Sequence, residues 1–391
     1  MALSIQEILT TGLLVRLGGL LPPLHLSPHN LHELLVLDLP EQLDLTVLDG
    51  GVEEPQRPEP NLVSGTQGIF HLLLQPGLEL GHYNPSVLVP ILTGALVAGV
   101  ATMVYAVFVE RRWYRLVRYR LDILPADVLG GIDILHLSDL HMVGDDRRLA
   151  RFLASLPEAD ITVITGDLVG DPESVEFVVE SLRRVRGRRM SVFVLGSNDL
   201  YAPRPANYLR YFVPARRRRR RTGRRGRAGD LVRLLEADGW IHLKNRKEVR
   251  TLDGIPLEIA GLDDPHIHRS DPRSALREDP AAIGVAVIHS PDPAPELLAL
   301  DYDLVLAGHT HGGQVRLPIV GALVTNCSLP ARMARGLFRM GRGFLHVSPG
   351  LGTSKYAPFR LLCRPEAVLL ELRPAVQVED ASSTARSNTA S

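Results

Sequence analysis

The chain has 391 residues, is 45% hydrophobic and carries 44 basic against 44 acidic side chains, which suits one sizeable α/β domain plus further segments. Its two cysteines, Cys327 and Cys363, exclude a disulfide framework and stand in no metal-ligand spacing, so both read as packing residues. The formal neutrality hides an uneven spread: residues 1–85 are acidic, and the stretches just after 110 and around 216–227 are strongly basic.

Residues 1–85 carry Leu, Pro and His with acidic patches and no period, and take no assigned fold. Two readings stay open for them: an N-terminal extension, or translated sequence upstream of the start used in the cell. From Ser86 to Val109 there is no charge, and the run is long enough to span a bilayer. It predicts a transmembrane helix, in which Gly and Pro are tolerated. Arg111, Arg112, Arg115, Arg118 and Arg120 follow at once, and no Lys or Arg stands close before the span. The positive-inside rule then predicts a single-pass cell-membrane protein with the remainder in the cytoplasm, and the order of charge and apolar run is the reverse of a signal peptide's. Residues 110–130 read as a basic juxtamembrane linker.

From 131 to 374 strand-like and helix-like text alternates, the pattern of an α/β domain. Five β-rich runs each close on polar residues: 132–141 on Asp139 and His141, 161–167 on Asp167, 191–199 on Asn198 and Asp199, 284–289 on His289, and 302–311 on His309 and His311. Helices are expected at 146–156, 172–185, 230–238 and 293–299, with β-rich text at 240–260 and hairpin text through 373. The Arg-rich run reads as a disordered loop over 216–229, because like charges repel. It would attract anionic lipid headgroups or phosphorylated substrates, or be a plain solvated loop. Nucleic acid is disfavoured as a partner, since no aromatic side chain interleaves the arginines to stack on bases. Residues 375–391 are small, polar and expected to be disordered.

In open α/β sheets, ligands bind outside the carboxyl ends of the strands, where these polar residues would converge. Two divalent ions roughly 3.5–4 Å apart need a carboxylate touching both, with imidazoles and carboxylates completing each shell. Asp167 is the natural bridge. Such a pair activates a bridging hydroxide for in-line attack on phosphorus and neutralises the phosphoryl oxygens, so no side-chain nucleophile is required.

Through Asp139-x-His141, Gly166-Asp167, Gly196-Ser197-Asn198-Asp199, His289 and Gly308-His309-x-His311, residues 132–373 resemble the calcineurin-like metallophosphoesterases. The runs at 261–266, 307–314 and 323–327 are similar to a bacterial, membrane-tethered branch of that superfamily. The resemblance implies a four-layer αββα sandwich, here preceded by one transmembrane helix, and a metal-dependent phosphoric ester hydrolase. It places Asp139, His141, Asp167 and His311 around one divalent ion, and Asp167, Asn198, His289 and His309 around the other. Mn²⁺ is the expected ion, with Zn²⁺, Fe²⁺ or Mg²⁺ as alternatives. The implied substrate is a phosphomonoester or phosphodiester, and the membrane placement suggests a phospholipid or lipid-linked one.

The chain departs from the family at residues 196–199, where Gly-Asn-His followed by an acid is usual. Ungapped alignment puts Ser197 on the metal-binding Asn, yet an amide oxygen is the better neutral ligand for a hard ion, so Asn198 is expected to be the ligand. The family's histidine acid is then missing. Leaving-group protonation falls to His266 or His268, to metal-held water, or to nothing when the leaving group is acidic. For both histidines a surface or packing role weighs equally. Asp263 and Asp264 are expected to orient a metal-ligand histidine or meet substrate, as are Ser197 and Asp199. His136, inside a strand, reads as a core residue or as support for a ligand, and the histidines before residue 86 as non-catalytic. The competing class is a scaffold that keeps the fold but not turnover; a nuclease-type phosphodiesterase is a further alternative.

Overall fold

The computed structural model describes residues 85–203, 205 and 224–375. The acidic segment before residue 85, the Arg run at 216–223 and the tail from 376 lie outside the described residues, and with them most of what the sequence suggested for those stretches. Residues 224–229, expected in the disordered loop, are placed: Arg225 bridges Tyr201, and Arg227 pairs with Glu176 and Asp230. Carboxylate partners remove the like-charge repulsion there.

Helix α1 (Pro85–Val104) continues as one π-turn (Tyr105–Val109) and a 3-10 turn (Glu110–Arg112). The span Ser86–Arg112 has a mean hydropathy of 2.2, and its most apolar window has no residue buried in the protein. An apolar helix with no polar face and no protein cover is one candidate membrane span. At its foot, Ala106 is buried, and its carbonyl accepts from Arg360 N at 3.1 Å.

The linker expected at 110–130 is instead largely a strand, β1 (Arg115–Leu124). It lies parallel to β14 (Glu366–Pro374), and its arginines meet acids there: Arg115 pairs with Glu366, and Arg118 with Glu371. Opposite charges across a strand pair make a basic segment compatible with a sheet edge.

The first six-stranded sheet has the order β1, β14, β2 (Ile132–Leu137), β3 (Ile161–Ile164), β4 (Met190–Phe193), β5 (Ile241–His242). The second has the order β12 (Gly336–Met340), β13 (Gly343–Val347), β9 (Leu304–Ala307), β8 (Ile283–Val287), β7 (Ile255–Gly261), β6 (Arg246–Leu252). A small hairpin, β10 (Arg316–Leu317) with β11 (Gly321–Ala322), stands apart. The inner faces meet through Ile134, Val163, Val192, Leu257, Val285, Leu306 and Leu370.

Period-2 alternation sends the neighbours of these residues outward, where helices cover them. Leu135, Phe193 and Leu369 pack under α2 (Arg147–Ala154), α3 (Val175–Leu182) and α5 (Ala228–Ala237). Ala286, Val305 and Leu345 pack under α6 (Ala294–Ala299) through Leu297. The result is the four-layer αββα sandwich. Each fully buried Leu, Ile or Val contributes about 1.5–3 kcal/mol, so a charge at Val163 or Leu306 would break the central layer.

The topology also sets where the candidate membrane helix joins. β2, β3 and β4 run parallel, β14 runs antiparallel to β2, and β1 runs with β14. The start of β1, at the foot of α1, therefore lies at the sheet edge where β2 ends.

Candidate metal centre

That edge carries the polar residues. β2 ends at Leu137, just before Asp139; β3 at Ile164, before Asp167; β8 at Val287, before His289; and β9 at Ala307, before His309. Asn198 comes from α4 (Ser197–Leu200), a single turn after β4. Asp139 N donates to Gly166 O, and His141 N donates to Asp167 O, both at 3.0 Å, so the β2–β3 pairing carries on through the ligand loops. Gly196 and Gly308 are needed at closest approach, because a Cβ on either would overlap Asp167 or Ser138.

The donor atoms of Asp139, His141 and His311 lie within 4.8 Å of one another, and so do those of Asp139, Asp167 and His289. His141 Nε2 is 3.1 Å from His311 Nε2, and Asp167 Oδ2 is 3.4 Å from His141 Nε2 and 3.6 Å from His289 Nε2. His309 joins through its Nδ1, 3.2 Å from His289 Nε2. Asn198 completes the ring: its Nδ2 stands 2.6 Å from Asp167 Oδ2, and its backbone N donates to Oδ1 at 2.8 Å. All seven expected donors thus meet. Asp167 faces histidines of both groups, as a bridge must, and Asp139 is shared between the two compact triads.

The donor set fits divalent ions. Asp139 Oδ1 and His311 Nδ1 are buried without a hydrogen bond, and two imidazole Nε2 atoms facing each other at 3.1 Å need a cation or proton between them. Electrostatics agree. Burial opposes a charge on His289, yet Asp167, Asp139 and Asp264 outweigh it and lift its pKa to about 9. Acids that hold a proton this strongly on an imidazole would hold a metal cation there instead. Burial also opposes charge on Asp167, but His289, His141 and Asn198 together carry its pKa below the carboxylate range. His311 is driven well down by burial first and by His141 next, which leaves it a neutral imidazole.

A layer of supporting groups fixes these donors. His289 Nδ1–H donates to Thr165 O at 2.7 Å, turning Nε2 toward Asp167. Asp139 Oδ2 accepts from Ser138 Oγ at 2.5 Å and from His309 N at 2.9 Å. Behind Ser138 runs a buried chain: Thr165 Oγ1 donates to Ser138 Oγ at 2.7 Å, His136 Nε2 meets Thr165 Oγ1 at 3.0 Å, and His136 Nδ1 meets His346 Nδ1 at 2.8 Å. Since Thr165 donates forward, His136 Nε2–H must donate to it, and His346 must donate to His136. His136, read as core or support, is support. Asp199 is buried and accepts from Leu168 N at 2.8 Å, Val169 N at 3.0 Å and Gly196 N at 3.0 Å, clasping the Asp167 loop to the Asn198 turn. Burial first, and the charge of Asp167 next, raise its pKa to about 7.

The remaining candidates divide. Asp263 is tied to Arg269 at 2.8 Å rather than to a ligand histidine; its neighbour Asp264 is the acid whose charge reaches His289. Ser197 begins α4 half-buried, and it is Asn198 that reaches Asp167. His268 is exposed, and the side chain of His266 lies outside what is described. Sequence reading missed Arg360, a fully buried guanidinium that donates to the carbonyls of Pro349 at 2.8 Å and Gly352 at 2.6 Å, bracing the loop that packs on Asp139. It also missed the link from α1: Glu110 accepts from Cys363 N at 2.5 Å, and Cys363 Sγ donates to His311 O at 3.3 Å. Neither an arginine in a loop nor a lone cysteine carries a pattern that could have marked them.

A nest of carboxylates, imidazoles and one amide at the strand-end edge of a double α/β sandwich defines a metal-dependent hydrolase site. The model of the calcineurin-like phosphoesterase family matches residues 132–313, and that match, with the relatives below, supports a metal-dependent phosphoester hydrolase. An uncharacterized metallophosphoesterase of Bacillus subtilis (strain 168), YkuE, is 25% identical over 72% of this chain and 94% of its own length. The phosphodiesterase YaeI of Escherichia coli (strain K12) is 27% identical over 72% of this chain and 96% of its own. The UDP-2,3-diacylglucosamine pyrophosphatase LpxG of Chlamydia trachomatis serovar D is 27% identical over 71% of this chain and 95% of its own.

Proposed function

We propose that the protein uses two divalent ions, Mn²⁺ the best fit to this oxygen- and imidazole-rich set, to hydrolyse a phosphomonoester or phosphodiester at the cytoplasmic face of the membrane, with a phospholipid or lipid-linked molecule as substrate. The observation that carries the chemistry is the placement of Asp167 Oδ2 between His141 and His289. When bound, the ions supply Lewis acidity toward water and toward the phosphoryl oxygens. Asp139, His141 and His311 would hold one ion, and Asn198, His289 and His309 the other, with Asp167 between them. Asp199 and the hydroxyl chain behind Asp139 keep the carboxylates aimed, and His266 or His268 would protonate the leaving oxygen.

The membrane part of the reading is supported by the shared edge: the foot of α1 and the ligand loops leave the same end of the sheet. The arginines after the span favour a cytoplasmic domain. Relatives named a phosphodiesterase and a pyrophosphatase of UDP-2,3-diacylglucosamine are consistent with phosphoester chemistry and favour a diacylated substrate.

The test takes the full chain in mild detergent, stripped of metal and resupplied with Mn²⁺, Mg²⁺ or Zn²⁺, against a chromogenic phosphomonoester and a phosphodiester. Metal-restored turnover of one ester, lost in Asp167→Asn together with bound metal, is the expected result. Two bound ions with no turnover of either ester or of any phospholipid would return the scaffold reading.

A further inference from the structure

We propose that a cleft at the foot of the membrane helix binds the phosphate headgroup of an anionic phospholipid, apart from the metal centre. The cleft has a volume of about 430 Å³ and is lined by Arg112, Trp113, Tyr114, Arg148, Arg151 and Phe152. Three guanidinium groups and three aromatic rings line it, and the positive charge exceeds the acid close by. Arg112 and Arg148 form no ion pair with a described carboxylate, and Arg151 Nε donates only to the Arg147 carbonyl, at 3.2 Å. The acids nearby offset this charge only in part: Asp146 caps α2 by accepting from Leu149 N at 3.0 Å and keeps its charge beside Tyr114, and Asp145 lies 4.0 Å from Arg147.

The rings give the cleft a fixed apolar floor. Tyr114 stacks on Phe152 with ring centroids 5.1 Å apart. Trp113 is 49% exposed, and the Arg364 guanidinium lies 4.0 Å over its ring. Position along the chain decides what such a site meets. Arg112 closes the apolar span Ser86–Arg112, so the residues after it stand at headgroup depth, where Trp and Tyr belong. A phosphate between the guanidiniums would have its glycerol and upper acyl carbons over the rings, and a free anion would leave those rings unused. The inference rests on the membrane placement proposed above.

The test uses the full chain in nanodiscs of phosphatidylcholine containing phosphatidylglycerol, compared with Arg148→Gln/Arg151→Gln. Both positions lie on the exposed face of α2 and touch no metal-site residue. Retained lipid is counted by native mass spectrometry, and Trp113 is read by quenching from lipids brominated near the headgroup, with Trp240 buried and silent. The wild type should retain phosphatidylglycerol several-fold over phosphatidylcholine, and the double variant should lose that preference while metal content and turnover of a soluble ester stay unchanged. Equal retention by the variant, or no preference in the wild type, overturns the site. Displacement of the lipid by inorganic phosphate would make it a free-anion site and overturns the lipid assignment. Release of the wild type from membranes by alkaline carbonate would instead overturn the membrane placement itself, a separate outcome.

Discussion

Asp139, His141, Asp167, His309 and His311 all adopt left-handed backbone, with φ of 49°, 43°, 53°, 69° and 50°. Non-glycine residues held there cost on the order of 1–3 kcal/mol each, and the ladder bonds between their loops hold them in place. Behind them, the chain from His346 to Asp139 makes a sharp prediction. Thr165→Val keeps the shape but cuts the chain, and metal affinity measured by chelator competition should fall about 10–100-fold while the fold persists. The same pair sets an acid limit. Burial holds His346 down to about 3, and burial with His346 beside it holds His136 well below the usual imidazole range. Both stay neutral when folded, whereas the unfolded chain protonates them as pH falls through about 6.5. Their contribution is complete above that pH and is lost as pH drops toward about 3, so urea midpoints should fall over that window, less steeply in His346→Phe. The convergence of the seven candidate donors was legible because each closes an apolar run. Ser138, Thr165 and His346 were not, because a hydroxyl or imidazole inside a strand gains its role only from the register between strands.

At the scale of elements, helices α2, α3, α5 and α6 and the parallel strands follow from periodicity, which survives in the sequence because each element is amphipathic or wholly buried. β1 escaped because its arginines look solvated until Glu366 and Glu371, far along the chain, stand across from them. A chain begun at residue 125 would bare the edge of β14, and should aggregate or show a lower thermal midpoint than one begun at 113, as read by size-exclusion chromatography and scanning fluorimetry. Equal solubility and stability of the two would show that β1 is dispensable. The departure at Ser197-Asn198 was legible only as a choice of two; the single turn of α4 carries Asn198, rather than Ser197, to Asp167.

For the whole molecule, the division into an apolar span and a double sandwich was plain in the sequence, but their junction was not, because it depends on a π-turn, a buried Glu110 and a loop braced by Arg360. Full chain in membranes should resist alkaline extraction. The shared edge of helix foot and ligand loops has a kinetic meaning. On the proposed function, an anchor at that edge would hold the metal site at a set height over the bilayer, so a lipid substrate would arrive by lateral diffusion in two dimensions rather than from bulk solution. Turnover of such a substrate should saturate with its mole fraction in the surface, and diluting it with inert lipid at constant total concentration should slow the enzyme, whereas a soluble ester would be indifferent to that dilution.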